Sequence, residues 1–482
     1  MSINKQTIIK AVAWSFVEKV SAQIVGLALG IILARLLDPH DYGVVGLISI
    51  FISISSVFID AGFANALIRK KDRTDADLST AFYFNAFVGL FCYALLWYCA
   101  PYIAKFFNEP ILIILVRIVG INIVFNSLGI VQTVLLTVQL NIKIQAYINV
   151  ITQIIAGLIA VILAYNGMGV YALALLSVLS AGLKTISLWA ITKWHPKSGF
   201  NKTSFSYLWG FGSKLLYASL LGTGFSKINS VLIGKFFGVT DLGYYSKASS
   251  LNEQVNSTTR GIVQRVSLPI LSRYQDNPNI LVENYNRILC TMVMFIAPLS
   301  AFLSLASSDI IVLLWTEKWA NTIFLFQLLI ISSIWEPIGQ LTLSLFQVVN
   351  RTDIILKLEF PKKITYAFLI FIGFLLGIKG LCAVQILISA AEAFFNMHAT
   401  KSILPISRIT QLWNSLKYMI YAMTLPFLAS YFIKTDYLFV NILLKFIVFA
   451  AVYIAILFIV KDQFAIGYYK TLRARILKPN NK

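Results

Sequence analysis

Two stretches of sequence, ARLLDPHDYGVVG (residues 34–46) and GKFFGVTDLGYYS (residues 234–246), lie 200 residues apart and align without a gap. Gly43 matches Gly243, and a basic and an acidic residue also coincide. Each stretch reads as the end of one apolar helix, a turn with an acidic helix start, and the beginning of a second helix. The chain therefore contains an internal repeat, and each copy includes a helical hairpin.

The chain around these turns has the composition of a membrane protein. Of its 482 residues, 58% are apolar and 12% are charged, and the mean hydropathy is +0.79. Soluble proteins carry about 25% charged residues, so a cytosolic enzyme, a disordered tail and a disulfide-stabilised secreted module are excluded. The apolar runs are continuous and lack the alternation of a membrane β-barrel. At about 20 residues per crossing, we predict fourteen transmembrane helices, at residues 11–37, 42–66, 79–105, 111–139, 145–165, 169–193, 205–236, 242–270, 284–306, 320–349, 355–376, 380–400, 412–433 and 437–460.

The repeat predicts how these helices are organised. Six predicted crossings separate the two copies, so both copies have the same orientation in the membrane, as in transporters built from two parallel bundles. We expect an all-α polytopic membrane protein with two six-helix bundles related by an internal parallel repeat, plus two C-terminal helices. The predicted domains are residues 1–200, residues 201–405, and residues 406–482, the last including a basic cytoplasmic tail.

Basic residues are distributed unevenly over the predicted loops. Lys and Arg number 40 against 20 Asp and Glu, which gives a net charge of +20. If both termini lie on one side, the loops of that side hold twenty-five basic residues and the opposite loops hold six. Basic loops stay in the cytoplasm, so we expect both termini to be cytoplasmic. The same rule accounts for the net charge, which therefore does not indicate a nucleic-acid partner.

A polar stripe follows the turn in each copy of the repeat. Its residues are spaced by four, three and four, which places them on one helix face. Serine and asparagine also serve as polar contacts between packed helices, whereas charged residues in a membrane face a protein interior or a water-filled cavity. The first stripe is Ser49, Ser53, Ser56 and Asp60, and the second is Ser249, Glu253, Asn256 and Arg260.

Further charged residues fall inside the predicted crossings. Each would cost about 2.5–3.5 kcal/mol at the bilayer centre, although some, such as Arg117, can extend to the membrane surface instead. Cations outnumber anions, so we expect a cationic cavity for a substrate that carries phosphate or carboxylate. The expected substrate-binding residues are Lys19, Arg117, Lys184, Lys214 and Arg260; Lys227 and Lys247 are further cations, and Glu18 and Glu336 are acidic companions.

The sequence carries no signal for catalysis. The histidines, His40, His195 and His398, have no plausible nucleophile or metal partner nearby in the sequence. The four cysteines lie in apolar runs without metal or disulfide spacing, and no glycine-rich phosphate loop is present. We therefore expect no catalytic residue, no metal site, no cofactor and no enzyme activity.

The repeated segments resemble a known family. INSVLIGKFFGVTDLGYYSKASSL (residues 228–251), followed by LPILSRYQ (residues 268–275), is similar to the polysaccharide-transport branch of the MOP exporter superfamily. So is the first-half counterpart, ILARLLDPHDYGVVGL (residues 32–47) with IDAGFANALIRKKD (residues 59–72). These are Wzx-type flippases of lipopolysaccharide and exopolysaccharide assembly, and the resemblance is to the colanic-acid type.

This resemblance implies a twelve-helix, two-lobed core plus two helices in the bacterial inner membrane. It implies that an undecaprenyl-diphosphate-linked oligosaccharide crosses from the inner to the outer leaflet by alternating access, with its lipid in the bilayer. A polysaccharide polymerase and chain-length machinery are possible partners. Many relatives have an acidic residue where this chain has Asn229, so ion coupling would need another carboxylate. The candidates are Glu18, Asp60, Glu253 and Glu336.

Two alternatives stay open at the level of sequence. A multidrug exporter of the same superfamily would carry cationic drugs and would favour an anionic cavity. A membrane-embedded polymerase, ligase or acyltransferase would need an extramembrane catalytic loop or an acid/base pair. The excess of intramembrane cations argues against the first alternative, and the short connections argue against the second.

Overall fold

The apolar segments fold as α-helices, because a chain in lipid has to satisfy its backbone donors and acceptors within each segment. The computed structural model describes residues 5–60 and 62–467, and every regular element in these ranges is helical. The α-helices are α1 (Lys5–Leu36), α2 (Pro39–Asp60), α3 (Phe63–Arg69), α4 (Asp75–Phe107), α5 (Leu112–Val138), α6 (Ile142–Tyr165), α7 (Val170–Thr192), α8 (Lys202–Leu232), α9 (Val239–Arg273), α10 (Pro278–Leu305), α11 (Ser307–Trp315), α12 (Ala320–Ser332), α13 (Glu336–Val348), α14 (Thr352–Leu375), α15 (Gly377–Thr400), α16 (Arg408–Met423), α17 (Leu425–Tyr431) and α18 (Leu438–Ile459).

These helices agree with the predicted crossings. Each of the fourteen predicted segments lies on one helix or on two consecutive helices. Ten helical spans in the described residues are long and apolar enough to cross a membrane. The prediction of an all-α polytopic membrane protein is confirmed, and the count of fourteen stays a prediction. The sequence did not predict α11, which lies in the connection between two crossings.

Three predicted crossings are broken at or beside a helix-breaking residue: one at Thr424, with Pro426 in the first turn of α17, and two that lie beside the sites described below. Gly62 separates α2 from α3 with a φ of 70°, in the left-handed region that glycine adopts without strain. A 3₁₀ turn at Ser333–Trp335 separates α12 from α13, and Pro337 lies in the first turn of α13. Proline is favoured there because its missing N–H would have no helical partner. Asp60 ends α2 and Glu336 begins α13, so a carboxylate lies beside each of these two breaks.

The chain divides into two compact units, Met1–Ser246 and Lys247–Lys482. In the first unit, Phe63 and Leu67 of α3 are fully buried in a cluster with residues of α4, α5 and α8. In the second unit, Tyr285 and Tyr418 are fully buried between α10 and α16. The division into residues 1–200, 201–405 and 406–482 stays a prediction. The basic tail after residue 467 lies outside the described residues.

The two turns of the repeat pack against each other through their glycines. A Cβ atom at Gly43 would lie 1.8 Å from the carbonyl oxygen of Val239. A Cβ atom at Gly243 would lie 1.8 Å from the carbonyl oxygen of Pro39. These two contacts are equivalent under the repeat, because 39 corresponds to 239 and 43 corresponds to 243. Only glycine permits backbones to approach this closely.

Two ion pairs hold the last helices, one to α11 and one between α16 and the segment after α18. Lys445 of α18 donates to Asp309 of α11 (Nζ to Oδ2, 2.6 Å), and Asn441 donates to the same oxygen at 3.0 Å. Lys417 of α16 donates to Asp462, just beyond α18, at 2.7 Å. The side chains of both pairs are largely buried. Such pairs fix which helices are neighbours, because separating them would leave a charge without its partner.

Candidate functional site

The break after α2 places Asp60 beside open space. A Cβ at Gly62 would lie 2.9 Å from the Cα of Gly212 in α8, so the chain bends at a point of close helix contact. Asp60 is exposed at the end of α2 and lines two adjoining cavities. A carboxylate at a helix C-terminus opposes the helix dipole. The negative charge of Asp60 is therefore destabilised by the dipole of its own helix.

One of these two cavities, here called the first cavity, has a volume of about 320 Å³. It lies among α2, α3, α5 and α7. Lys184 of α7 lines it together with Asp60, so a cation and an anion that are far apart in sequence share one cavity. Its other polar lining residues are Ser56, Asn126, Thr133, Thr137 and Thr185.

The serines of the first polar stripe are engaged within their own helix. Ser49 donates to the carbonyl of Gly46 (2.7 Å), and Ser53 donates to the carbonyl of Ser49 (2.6 Å). Ser56 donates to the carbonyl of Ile52 at 2.8 Å. A hydroxyl that donates to a carbonyl of its own helix needs no other acceptor for its proton. Of the four residues in this stripe, Asp60 is the one that offers charge to a cavity.

A second space in the first unit, here called the basic pocket, lies between α3 and α8. Arg69 and Lys214 line this pocket of about 300 Å³ with Tyr207 and Phe211. The Arg69 guanidinium lies over the Phe211 ring, 5.2 Å from its centre, in a cation–π contact that orients the side chain. Among the described residues that line this pocket there is no carboxylate. Its charge suits an anion.

Glu18, Lys19 and Arg117 of the first unit line neither the first cavity nor the basic pocket. Glu18 of α1 accepts a hydrogen bond from Asn149 of α6 (Oε1 to Nδ2, 2.6 Å), and its neighbour Lys19 is exposed. The Arg117 guanidinium lies 4.5 Å from the ring centre of Trp97 in α4. The predicted cations of the first unit are therefore spread over several sites.

In the second unit, the break before α13 brings Glu336 to the start of a helix. Its carboxylate lies 3.1 Å from Arg260 of α9 (Oε1 to Nη1) and accepts from Gln340 at 3.2 Å. Arg260 also forms an ion pair with Glu253, two turns earlier on α9. The helix N-terminus favours the negative charge of Glu336. Arg260 is thus held between two carboxylates.

Arg260 and Glu336 line what we call the second cavity, with a volume of about 410 Å³. Its walls come from α9, α13, α14 and α15. Glu359, Lys362 and Glu392 also line it, so three carboxylates face two cations. The expectation of a cationic cavity therefore depends on the basic pocket of the first unit and not on this one.

The remaining residues of the second stripe, Ser249 and Asn256, do not line the second cavity. Ser249 is half-buried. Asn256 is half-buried too, and its side-chain oxygen has no hydrogen-bond donor among the described residues. Lys247 is buried beside two indole rings, with its Nζ 4.8 Å from the centre of Trp315 and 5.5 Å from that of Trp319. Its charge is stabilised by cation–π contacts.

Sequence reasoning missed several residues that line these sites. Arg69 was assigned to a cytoplasmic loop, but it shares the basic pocket with Lys214. Lys362 lies in the predicted crossing 355–376 and Asn396 in the crossing 380–400, and neither was predicted as a site residue, although both line the second cavity. Ser389, Glu392 and Asn396 are spaced by three and four residues, which was the available signal for a common helix face.

Comparison with known proteins places the chain in a family. Residues 32–324, more than half of the chain, match the model of a family described as "Polysaccharide biosynthesis protein". The teichuronic acid biosynthesis protein TuaB of Bacillus subtilis is 25% identical over 73% of each chain. The lipopolysaccharide biosynthesis protein WzxC of Escherichia coli is 23% identical over 77% of this chain and 76% of that protein. Among solved structures, the lipid II flippase MurJ in an inward closed conformation superposes with a TM-score of 0.74 at 16% identity, covering 96% of this chain and 99% of that one.

Proposed function

The chain belongs to the polysaccharide biosynthesis protein family, and from this membership we propose that it is a flippase for a lipid-linked saccharide. It carries an undecaprenyl-diphosphate-linked oligosaccharide, a repeat unit of O-antigen, capsule or exopolysaccharide, across the bacterial inner membrane. Relatives that act in teichuronic acid and lipopolysaccharide biosynthesis support a saccharide substrate. The fold shared with a lipid II flippase is compatible with this assignment.

The observation that carries the proposal is the basic pocket. Arg69 and Lys214 offer two cations to one space, and no carboxylate lines it in the part of the chain that the structure describes. A diphosphate needs such donors, and arginine pairs with phosphate through two parallel hydrogen bonds. These residues lie on the side that the distribution of basic loops assigns to the cytoplasm, where the saccharide enters. Lys19, Lys184, Arg117 and Arg260 would serve later in the path.

Transport proceeds by alternating access in this proposal. Residues 1–200 and 201–405 form the two parallel bundles, and residues 406–482 add two helices and the tail. Both termini are cytoplasmic. The lipid tail stays in the bilayer while the polar head passes through the protein.

An ion gradient drives the cycle through an acidic residue inside the membrane. Asp60 is the first candidate, because it shares the first cavity with Lys184. Glu18 is bonded to Asn149, and Glu253 and Glu336 are bonded to Arg260. A carboxylate already engaged by a partner takes up a cation less readily.

Depletion of the protein followed by mass spectrometry of undecaprenyl-linked saccharides tests the proposal. The leaflet of each species is assigned by its access to an added glycan-modifying enzyme. We expect one complete oligosaccharide unit to accumulate on the cytoplasmic face. Accumulation of single units on the outer face would instead indicate a polymerase or ligase.

A multidrug exporter is the second candidate. The second cavity favours it, because carboxylates outnumber cations among the lining residues. Depletion would then leave lipid-linked saccharides unchanged and would raise the sensitivity of the cells to cationic drugs. This outcome would overturn the flippase proposal.

A further inference from the structure

Not all of the charged side chains that line the second cavity are engaged in ion pairs with one another. Glu336 is engaged by Arg260 at 3.1 Å, and Glu359 by Lys363 at 3.5 Å and Lys362 at 4.0 Å. Glu392 has no ion pair within 4.0 Å among the described residues. Once these pairs are formed, one carboxylate of the lining still has its oxygens available to a ligand.

Asn396 adds an amide one turn further along α15. Its side chain is 7% exposed and lines the second cavity, and it makes no hydrogen bond to any described residue. A Cβ at Gly339 would lie 3.4 Å from Asn396 Nδ2, so the glycine leaves room for the amide. Neither of its amide atoms is among the fully buried side-chain atoms that lack a partner, so within the described residues both face the open space of the cavity. An amide aimed into a cavity therefore points to a polar ligand.

Glu392 and Asn396 are four residues apart on one helix and so share a face. A carboxylate accepts hydrogen bonds, while an amide both donates and accepts. Neighbouring hydroxyl groups on a sugar ring need this combination, because each hydroxyl is donor and acceptor at once. A phosphate fits less well, since the carboxylate would repel it.

The remaining wall suits a sugar ring as well. Trp335 and Phe346 supply aromatic surface, and Gln340 adds a second amide. The volume of about 410 Å³ is in the range of small-molecule sites, about 300–1,000 Å³.

We propose that the second cavity binds a neutral sugar unit of the lipid-linked saccharide, with Glu392 and Asn396 contacting neighbouring ring hydroxyls. This inference rests on the proposed function and gives it a second point of recognition. The basic pocket holds the diphosphate, and the second cavity selects the saccharide. A uronic acid is disfavoured there because its carboxylate faces that of Glu392.

Equilibrium binding to the full chain in lipid nanodiscs tests this assignment. The probes are undecaprenyl diphosphate alone and the same lipid carrying glucose, galactose or glucuronic acid. We expect at least one neutral sugar to tighten binding about tenfold over the bare lipid, because hydrogen bonds to a charged group contribute at least that much. Glucuronic acid should give no such gain.

Variants of the lining residues then test whether the gain in affinity from a neutral sugar depends on the second cavity. Glu392→Gln and Asn396→Leu should abolish it and leave the affinity for the bare lipid unchanged. Gln385→Leu is the matched control, because Gln385 is on α15 but does not line the second cavity, and it should keep the gain.

The outcomes separate the two proposals. Binding of the bare lipid without a gain from either neutral sugar would overturn the sugar site and leave the flippase standing. An equal gain from glucuronic acid, or a gain that survives in both variants, would also overturn it. No binding of any probe by the unmodified protein would overturn the proposed function itself.

Discussion

Arg260 and Glu336 lie 3.1 Å apart, Nη1 to Oε1, where α9 passes the first turn of α13. The Glu336 side chain is 25% exposed, whereas that of Glu253, the other partner of Arg260, is 61% exposed. We expect Glu336→Gln to lower the free energy of unfolding by about 1–3 kcal/mol and Glu253→Gln by less than about 1 kcal/mol. Thermal unfolding of the purified variants in detergent measures both. Equal losses of unfolding free energy in the two variants would show that the exposure of the carboxylate does not determine how much each ion pair with Arg260 stabilises the protein.

Gly43 cannot accommodate a side chain, because a Cβ would overlap the carbonyl of Val239. We expect Gly43→Ala and Gly243→Ala each to cost about 1–3 kcal/mol or more and to reduce the amount of protein in membranes. Gly46→Ala is the matched control, since the one atom closer than 3.4 Å to its Cβ would be the movable hydroxyl oxygen of Ser246 at 2.8 Å. Immunoblotting of membrane fractions gives the comparison, and a Gly43→Ala variant present at the normal level would contradict the close approach.

Lys445 supports the contact of α18 with α11. Replacing it with methionine leaves Asp309 charged among largely buried groups, which costs about 3–5 kcal/mol when a buried pair is broken. Adding Asp309→Asn should recover most of this loss, because no unpaired charge remains. A double-mutant cycle on thermal unfolding measures the coupling. Additive losses from the two substitutions would show that the pair contributes nothing.

Asp462 links stability to pH. Burial raises the pKa of this carboxyl, but hydrogen bonds from Lys417 and the Ala465 backbone outweigh burial and hold the pKa below its ordinary value. A lowered folded-state pKa stabilises the protein above the unfolded pKa of about 3.9, and this contribution is lost as the pH falls through the folded value. The unmodified protein should therefore unfold at a higher temperature than Asp462→Asn at neutral pH. The difference should shrink only below about pH 4, and a constant difference at all pH values would exclude ionisation as its source.

Substitutions of the two cations in the basic pocket should reduce transport without impairing folding. Lys214→Gln and Arg69→Gln should each lower the appearance of saccharide on the outer leaflet about tenfold, since each removes a charge-assisted hydrogen bond to phosphate. Lys227→Gln is a control on the same helix, because Lys227 does not line the pocket. All three variants should be present at normal levels in the membrane. Unchanged export by the Lys214→Gln and Arg69→Gln double variant would remove the pocket from the path.

The helices were predictable from sequence because lipid requires long, continuously apolar segments. The turn in residues 34–46 and its repeat were visible for the same reason, as polar interruptions at a fixed offset. The break before α13 had a local signal in Glu336 followed by Pro337, which is typical of a helix start. The short helix α11 had no such signal, since it is too short to be read as a separate crossing.

The sites were less predictable because they depend on contacts between distant segments. Arg69 and Lys214 share a pocket only because α3 packs on α8, with Phe63 and Leu208 fully buried in one cluster. Spacing on α9 placed Glu253 and Arg260 on one face, where the structure has them paired. The approach of Glu336 to Arg260 could not be read from either helix alone.

The contacts of Gly43 and Gly243 have the form of an isologous interface, in which one surface binds a copy of itself. Residue 39 of the repeat meets residue 43 of the other copy, and the reverse contact is present as well. Dimers with two-fold symmetry are held together in this way, although here both copies belong to one polypeptide. A substitution in one copy therefore alters one of the two equivalent contacts and leaves the other intact. The Gly43→Ala and Gly243→Ala variants thus measure two halves of one interface separately, as no homodimer would allow.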